Sequence, residues 1–118
     1  MNAADEAAIQ DVIVSQMEAF KRDDAEAAYA FAAPSIKSLF PTPEVFIRMV
    51  QQGYWPVYRP SEVTFVEASF VGTRPVQRVR IVGENGQTVI AAYIMERQED
   101  GNWRISGCYL LPTDEIVS

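Results

Sequence analysis

Five tyrosines, Tyr29, Tyr54, Tyr58, Tyr93 and Tyr109, each offer an apolar ring and one hydroxyl. That combination suits the wall of a small-molecule pocket, where a few polar tips orient a mostly apolar ligand. Gln77 adds an amide to fix orientation, and Arg59 adds a cation for an anionic group. A phenol titrates near about 10 and is a poor base at neutral pH. The set therefore reads as ligand-binding. The plainer reading stays open beside it: core tyrosines whose hydroxyls are satisfied by the protein.

Other side chains of reactive type carry less. Cys108 attacks only as a thiolate, which needs a cationic neighbour. Arg104 is four residues away and, on one face of a strand, lies beyond hydrogen-bond reach. Cys108 reads as a small buried hydrophobe, and Ser106 has no base. Glu96 with Arg104 and Glu67 with Arg78 read as cross-strand ion pairs. The chain has no histidine, which removes Ser-His and Cys-His catalysis and the common zinc sites. No catalytic residue, metal ligand or cofactor is assigned.

Three helices are expected to lead. Ile9, Val12, Ile13, Gln16, Met17 and Phe20 recur at helical spacing. Asp5 and Glu6 stand near the start, Lys21 and Arg22 near the end, and Glu18 can pair with Arg22. Asp23 or Asp24 caps a second helix, DAEAAYAFAA, which Pro34 closes. Its inner stripe is Ala25, Ala28, Tyr29 and Ala32. A third helix opens at Thr42-Pro43-Glu44, buries Phe46, Ile47, Met49 and Val50, and stops at Gly53. GYWPVYRP follows, either a rim at a pocket mouth or a stiff packed connector.

Beyond it the period becomes two. Runs at roughly 62–71, 74–82, 87–97 and 102–111 are separated by GT, ENG and EDG, which are hairpin loops. Strands so close together are antiparallel neighbours. The fold class is α+β, three helices packed on a curved four-stranded meander, with a single domain over residues 1–118.

Loop lengths set the register. The GT turn places Glu67 opposite Arg78 and Val66 opposite Val79. ENG places Val79 opposite Ala91 and Ile81 opposite Val89. EDG, with a left-handed Gly101, places Glu96 opposite Arg104 and Met95 opposite Ile105. Extending these pairs puts Val66, Ala68, Phe70, Val79, Ile81, Ala91, Tyr93, Met95, Trp103, Ile105, Gly107, Tyr109 and Leu111 under the helices, with Gly107 opposite Tyr93. The other face holds Phe65, Arg78, Arg80, Ile90, Ile94, Arg104, Ser106, Cys108 and Leu110. It is too apolar for a wet surface and too charged for a core, a mixture that fits a protein interface.

Bulk properties narrow the partners. The net charge of −6 repels phosphate, so nucleic acid and anionic membrane are not expected partners. One cysteine cannot close an internal disulfide. The opening MNAADEAAIQ has no secretory signal pattern, and no apolar run spans a bilayer. A cytoplasmic setting is the expectation.

FAAPSIKSLFPTPEVFIRMVQQGYWPVYRP, then PVQRVRI, then YIMERQEDGNWRISGCYLLP, together resemble a bacterial subfamily of unknown function in the nuclear transport factor 2-like superfamily. The resemblance covers nearly the whole chain. It implies a cone-shaped fold with a pocket between helices and concave sheet. It also implies a homodimer through the outer sheet face, here Arg78, Arg80, Ile90, Ile94 and Arg104. A strand that the superfamily carries between its second and third helices is reduced here, at most to SIKSLF. The carboxylate and histidine roles of its isomerases, epoxide hydrolases and dehydratases find no matching positions. The expected function is a non-catalytic domain that binds a small apolar ligand or supports dimerisation. A tyrosine-lined isomerase or dehydratase and a protein-binding adaptor are the alternatives.

Overall fold

Asn2 opens helix α1 (Ala3–Lys21): its side-chain oxygen accepts from the Asp5 N–H at 2.8 Å. The computed structural model describes residues 1–116. Helix α1 buries Ile9, Ile13, Gln16, Met17, Ala19 and Phe20, the stripe that its spacing predicts, with Ala19 in place of half-buried Val12. Glu18 pairs with Lys21 at 3.7 Å, not with Arg22.

The chain reverses at Asp23, whose φ of 54° is left-handed. Asp24 is the residue that caps α2 (Ala25–Ala30), accepting from the Ala27 N–H at 3.1 Å. Helix α4 (Pro43–Gly53) starts as expected, with the Thr42 hydroxyl accepting from the Val45 N–H at 3.2 Å and Pro43 in the first turn.

Two short helices were not expected. SIKSLF is not a reduced strand but α3 (Pro34–Leu39), and GYWPVYRP contains α5 (Trp55–Tyr58). Pro34 is pre-set for a helix start, and the Ser38 hydroxyl bonds back to the Pro34 carbonyl at 3.1 Å. Sheet pairing falls one step earlier. Ala33 N–H donates to the Ile105 carbonyl and Ile105 N–H to that of Phe31, both at 2.8 Å. The pairing before α3 is thus one parallel bridge, Ala32 to Ile105.

Strands β1 (Pro60–Val71), β2 (Arg74–Gly83), β3 (Gln87–Arg97) and β4 (Trp103–Ile116) form an antiparallel meander in the order β1-β2-β3-β4. The architecture is α+β, helices first and sheet second. The expected pairs Val79 with Ala91, Ile81 with Val89, Met95 with Ile105 and Glu96 with Arg104 all stand opposite each other. Gly101 takes φ 88°, as the EDG loop requires.

Bulges overturn two stretches of the facing assignment. In β1 the pairing steps between Phe65 and Ala68, so Phe65, not Val66, faces Val79. Val63 and Phe65 consequently pack on the core, and Val66 is exposed. In β4 the step falls between Ile105 and Gly107, which are opposite Met95 and Ile94. Gly107 therefore does not face Tyr93; Cys108 does. Cys108 and Leu110 turn toward the core, while Tyr109 and Leu111 turn outward, the reverse of strict alternation.

The core joins Ile9, Ile13 and Phe20 of α1 and Phe46 of α4 to Val79, Ile81, Ala91, Tyr93 and Met95 of the sheet. Each large apolar side chain enclosed in this way contributes about 1.5–3 kcal/mol. Opposite it, register places Arg78, Arg80, Ile90, Ile94 and Arg104 on the outer face, as expected. Arg78 and Glu67 pair at 3.3 Å. Glu96 and Arg104 do not pair with each other: the carboxylate accepts from Gln98 and the guanidinium donates to the Trp103 carbonyl.

Candidate functional site: a neutral cavity under the helices

Helices α3 and α4 stand away from the bulged end of β4, leaving a cavity of about 340 Å³. Phe20 of α1, Phe46, Met49 and Val50 of α4, and Val57 of α5 line one side. Ile36, Leu39 and Phe40 close a second side, and Tyr93 with Ile105 to Tyr109 forms the floor. No Asp, Glu, Lys or Arg lines it among the described residues.

The seven expected site residues separate. Tyr54 and Tyr93 line the cavity, and Tyr109 stands at its edge with 62% of its surface exposed. Tyr29 stands behind the wall, its hydroxyl donating to the Phe40 carbonyl at 2.6 Å and its ring tilted on Phe46 at 5.5 Å. Gln77 is buried elsewhere, its amide donating to the Arg78 carbonyl at 2.9 Å.

Tyr58 and Arg59 belong to a different cluster, built on Asp23. The Tyr58 hydroxyl and the Arg59 guanidinium both donate to one Asp23 oxygen. Arg59 also donates to the Phe20 carbonyl at 2.7 Å and lies over the Tyr58 ring at 4.4 Å. Its charge is committed to the end of α1, so it is not the cation for a cavity ligand. Sequence spacing gave no sign of this cluster beyond an acidic residue after a helix's last basic turn, where the backbone turns left-handed.

Three of the polar groups in the lining, Tyr54, Tyr93 and Cys108, are weak acids, and the Ser106 hydroxyl donates to the Ile94 carbonyl at 3.1 Å. The Tyr93 hydroxyl is buried and makes no hydrogen bond. Burial holds its pKa well above 10, and the nearby Cys108 adds to the rise. Burial pushes the Cys108 thiol up to about 12. Tyr54 is raised by burial first, then by Cys108 and Tyr109. At neutral pH all three are uncharged donors. Gln16 commits its amide N–H to the Ala28 carbonyl at 3.1 Å. A thiol at about 12 is a poor nucleophile, and no group of three or more His, Cys, Asp or Glu able to hold a metal occurs among the described residues.

Phe20 and Phe46 belong to the core, as their spacing predicts, with Met49 packed against it, and all three also line the cavity. Nothing in their spacing separates the two roles, since both bury the same helix stripe.

Residues 2–116 match the model of a family described as Domain of unknown function (DUF4864). Comparison with curated proteins and with solved structures gives no match.

Proposed function

The chain belongs to the DUF4864 family over almost its full length, and from the cavity we propose that it is a non-catalytic small-molecule-binding domain of nuclear transport factor 2-like type. Its ligand is neutral, largely apolar and carries a hydrogen-bond acceptor. The observation that carries this reading is the Tyr93 hydroxyl, a buried donor without an acceptor in the wall of an uncharged cavity. Leaving such a group unpaired costs about 1–3 kcal/mol, which a ligand acceptor recovers once binding uncovers the enclosed hydroxyl oxygen. A carboxylate ligand is disfavoured because no cation is there to offset its desolvation. A space of about 340 Å³ holds roughly a dozen non-hydrogen atoms at interior packing density.

The isomerase or dehydratase alternative lacks a base in the cavity wall. Self-association through the outer sheet face is the second part of the proposal. Exposed Tyr109 and Leu111 join Ile90, Ala92 and Ile94 there, rimmed by Arg78 and Arg104. No described helix is long and apolar enough to cross a membrane.

Native mass spectrometry of freshly purified protein tests the ligand. A retained neutral molecule that is lost from Tyr93→Phe is the expected result. If wild-type protein retains nothing and no neutral acceptor-bearing compound raises its melting temperature, the binding reading fails.

A further inference from the structure

The cavity opens to solvent beside exposed Leu39 and Tyr109, and we infer that α3 is the movable wall of that mouth, hinged at Pro34 and latched at its far end by Tyr29. Helix α3 buries none of its six residues. Ile36 and Leu39 nevertheless line the cavity, as does Phe40 just beyond, and Leu39 is 71% exposed. A wall with so little enclosed surface opens at low cost.

The anchors on either side are firm. Ala33 is bonded to Ile105 of β4 at 2.8 Å, and the Thr42 hydroxyl and carbonyl cap α4. Prolines 34, 41 and 43 stiffen both ends, so the segment moves as a unit. Beyond the capping residue Ala33, the hydrogen bonds tying residues 34–41 to the rest of the described chain come from one atom. That atom is the Tyr29 hydroxyl, 2.6 Å from the Phe40 carbonyl and 3.4 Å from that of Lys37. Lys37 lies over the Tyr29 ring at 5.2 Å, a second contact that opening breaks. Tyr29 is a positioning residue: it holds the wall and does not line the cavity.

Cys108, the chain's single cysteine, lines the cavity and is only partly exposed, so its rate of reaction reports how far the wall stands open. The probe is 4,4′-dithiodipyridine, a neutral aromatic disulfide. The Cys108 thiolate attacks one sulfur, a mixed disulfide forms, and one thiopyridone leaves and is followed by absorbance. Tyr29→Phe is expected to speed this reaction about tenfold, the equivalent of one hydrogen bond. Tyr58→Phe, which loses hydroxyl contacts to Asp23 and Gln51 and none to α3, is expected to leave the rate unchanged in conditions where both variants stay folded. Equal rates in wild type and Tyr29→Phe overturn the latch. So does an acceleration shared by Tyr58→Phe, which reports global unfolding.

Amide exchange of the wild type gives a second readout should Tyr29→Phe fail to fold. Lys37 and Phe40 amides are expected to exchange through an opening insensitive to low urea, unlike those of Val79 and Ala91. Exchange of all four only through global unfolding overturns the inference. Neither measurement needs a ligand, so an empty cavity and an immobile wall give separate results.

Discussion

The Tyr58 hydroxyl donates to the Asp23 carboxylate at 2.5 Å, joining residues 35 positions apart in the chain. Asp23 holds the left-handed conformation that usually selects glycine after a helix. Here a carboxylate at that position gathers Tyr58 and Arg59, and so fixes α5 against the end of α1. Tyr58→Phe is expected to destabilise the protein, because the buried ring keeps its place but loses its bond to Asp23. Urea denaturation reads the change as a lower midpoint at constant slope. An unchanged midpoint removes the clasp from the account of stability.

Acid should release the same clasp. Hydrogen bonds from Tyr58 and then Arg59 hold the Asp23 carboxyl below its ordinary 3.8, against a small opposing effect of burial. The folded state therefore binds this proton less tightly than the unfolded chain. The stability it contributes is complete above pH 3.8 and is lost as pH falls through the lower folded value. Asp23→Asn should flatten the stability profile below pH 4 in part only. Asp100, lowered chiefly by the Asn102 N–H, keeps a slope of the same sign. Superimposable profiles for wild type and Asp23→Asn contradict this.

Tyr93→Phe separates stability from binding. Removing a buried donor that has no acceptor should raise the stability of the empty protein by about 1 kcal/mol. The same change should weaken ligand retention, because the acceptor then meets no donor. Calorimetry of ligand-free protein and native mass spectrometry read the two effects. A variant that is less stable when empty would show that Tyr93 has an acceptor within the fold.

Gly107 is replaceable. A Cβ there meets the Ile94 side chain at 3.5 Å, ordinary van der Waals contact. Gly107→Ala should change stability by less than about 0.5 kcal/mol. A large loss would mean that the backbone at this turn of β4 needs glycine for another reason.

Arg78→Glu addresses the outer face. Like charge beside Glu67 replaces the pair at 3.3 Å and sets repulsion at the rim of the proposed interface. Sedimentation velocity should show weaker self-association. A profile identical to wild type counts against this face, and a wild-type monomer that captures a different protein there favours an adaptor.

Helix starts and strand order were legible because they follow local rules. Thr42-Pro43 and the GT, ENG and EDG loops act within a few residues. Register was legible from each loop up to the next bulge and no further. Nothing in Phe65-Val66-Glu67 or Ile105-Ser106-Gly107 announces an extra residue, because a bulge answers to sheet curvature and the helices packed above it. Tyr93, between the bulges on β3, was placed correctly. Cys108 and Tyr109, just past one, were exchanged. Residue type alone marks Tyr29, Tyr58 and Arg59, but their partners Phe40 and Asp23 lie across turns that periodicity does not see.

The inserted residue in β4 has a consequence for how such a chain can change. Deleting Ser106 would remove the extra residue and still leave Gly107 opposite Ile94 and Cys108 opposite Tyr93, so one codon's loss keeps the thiol in the chamber and the phenol of Tyr109 outside. The bulge thus absorbs a change of length, and lining and exterior keep their places on either side of it. Homologues shorter there by one residue should present like chambers despite the difference in length.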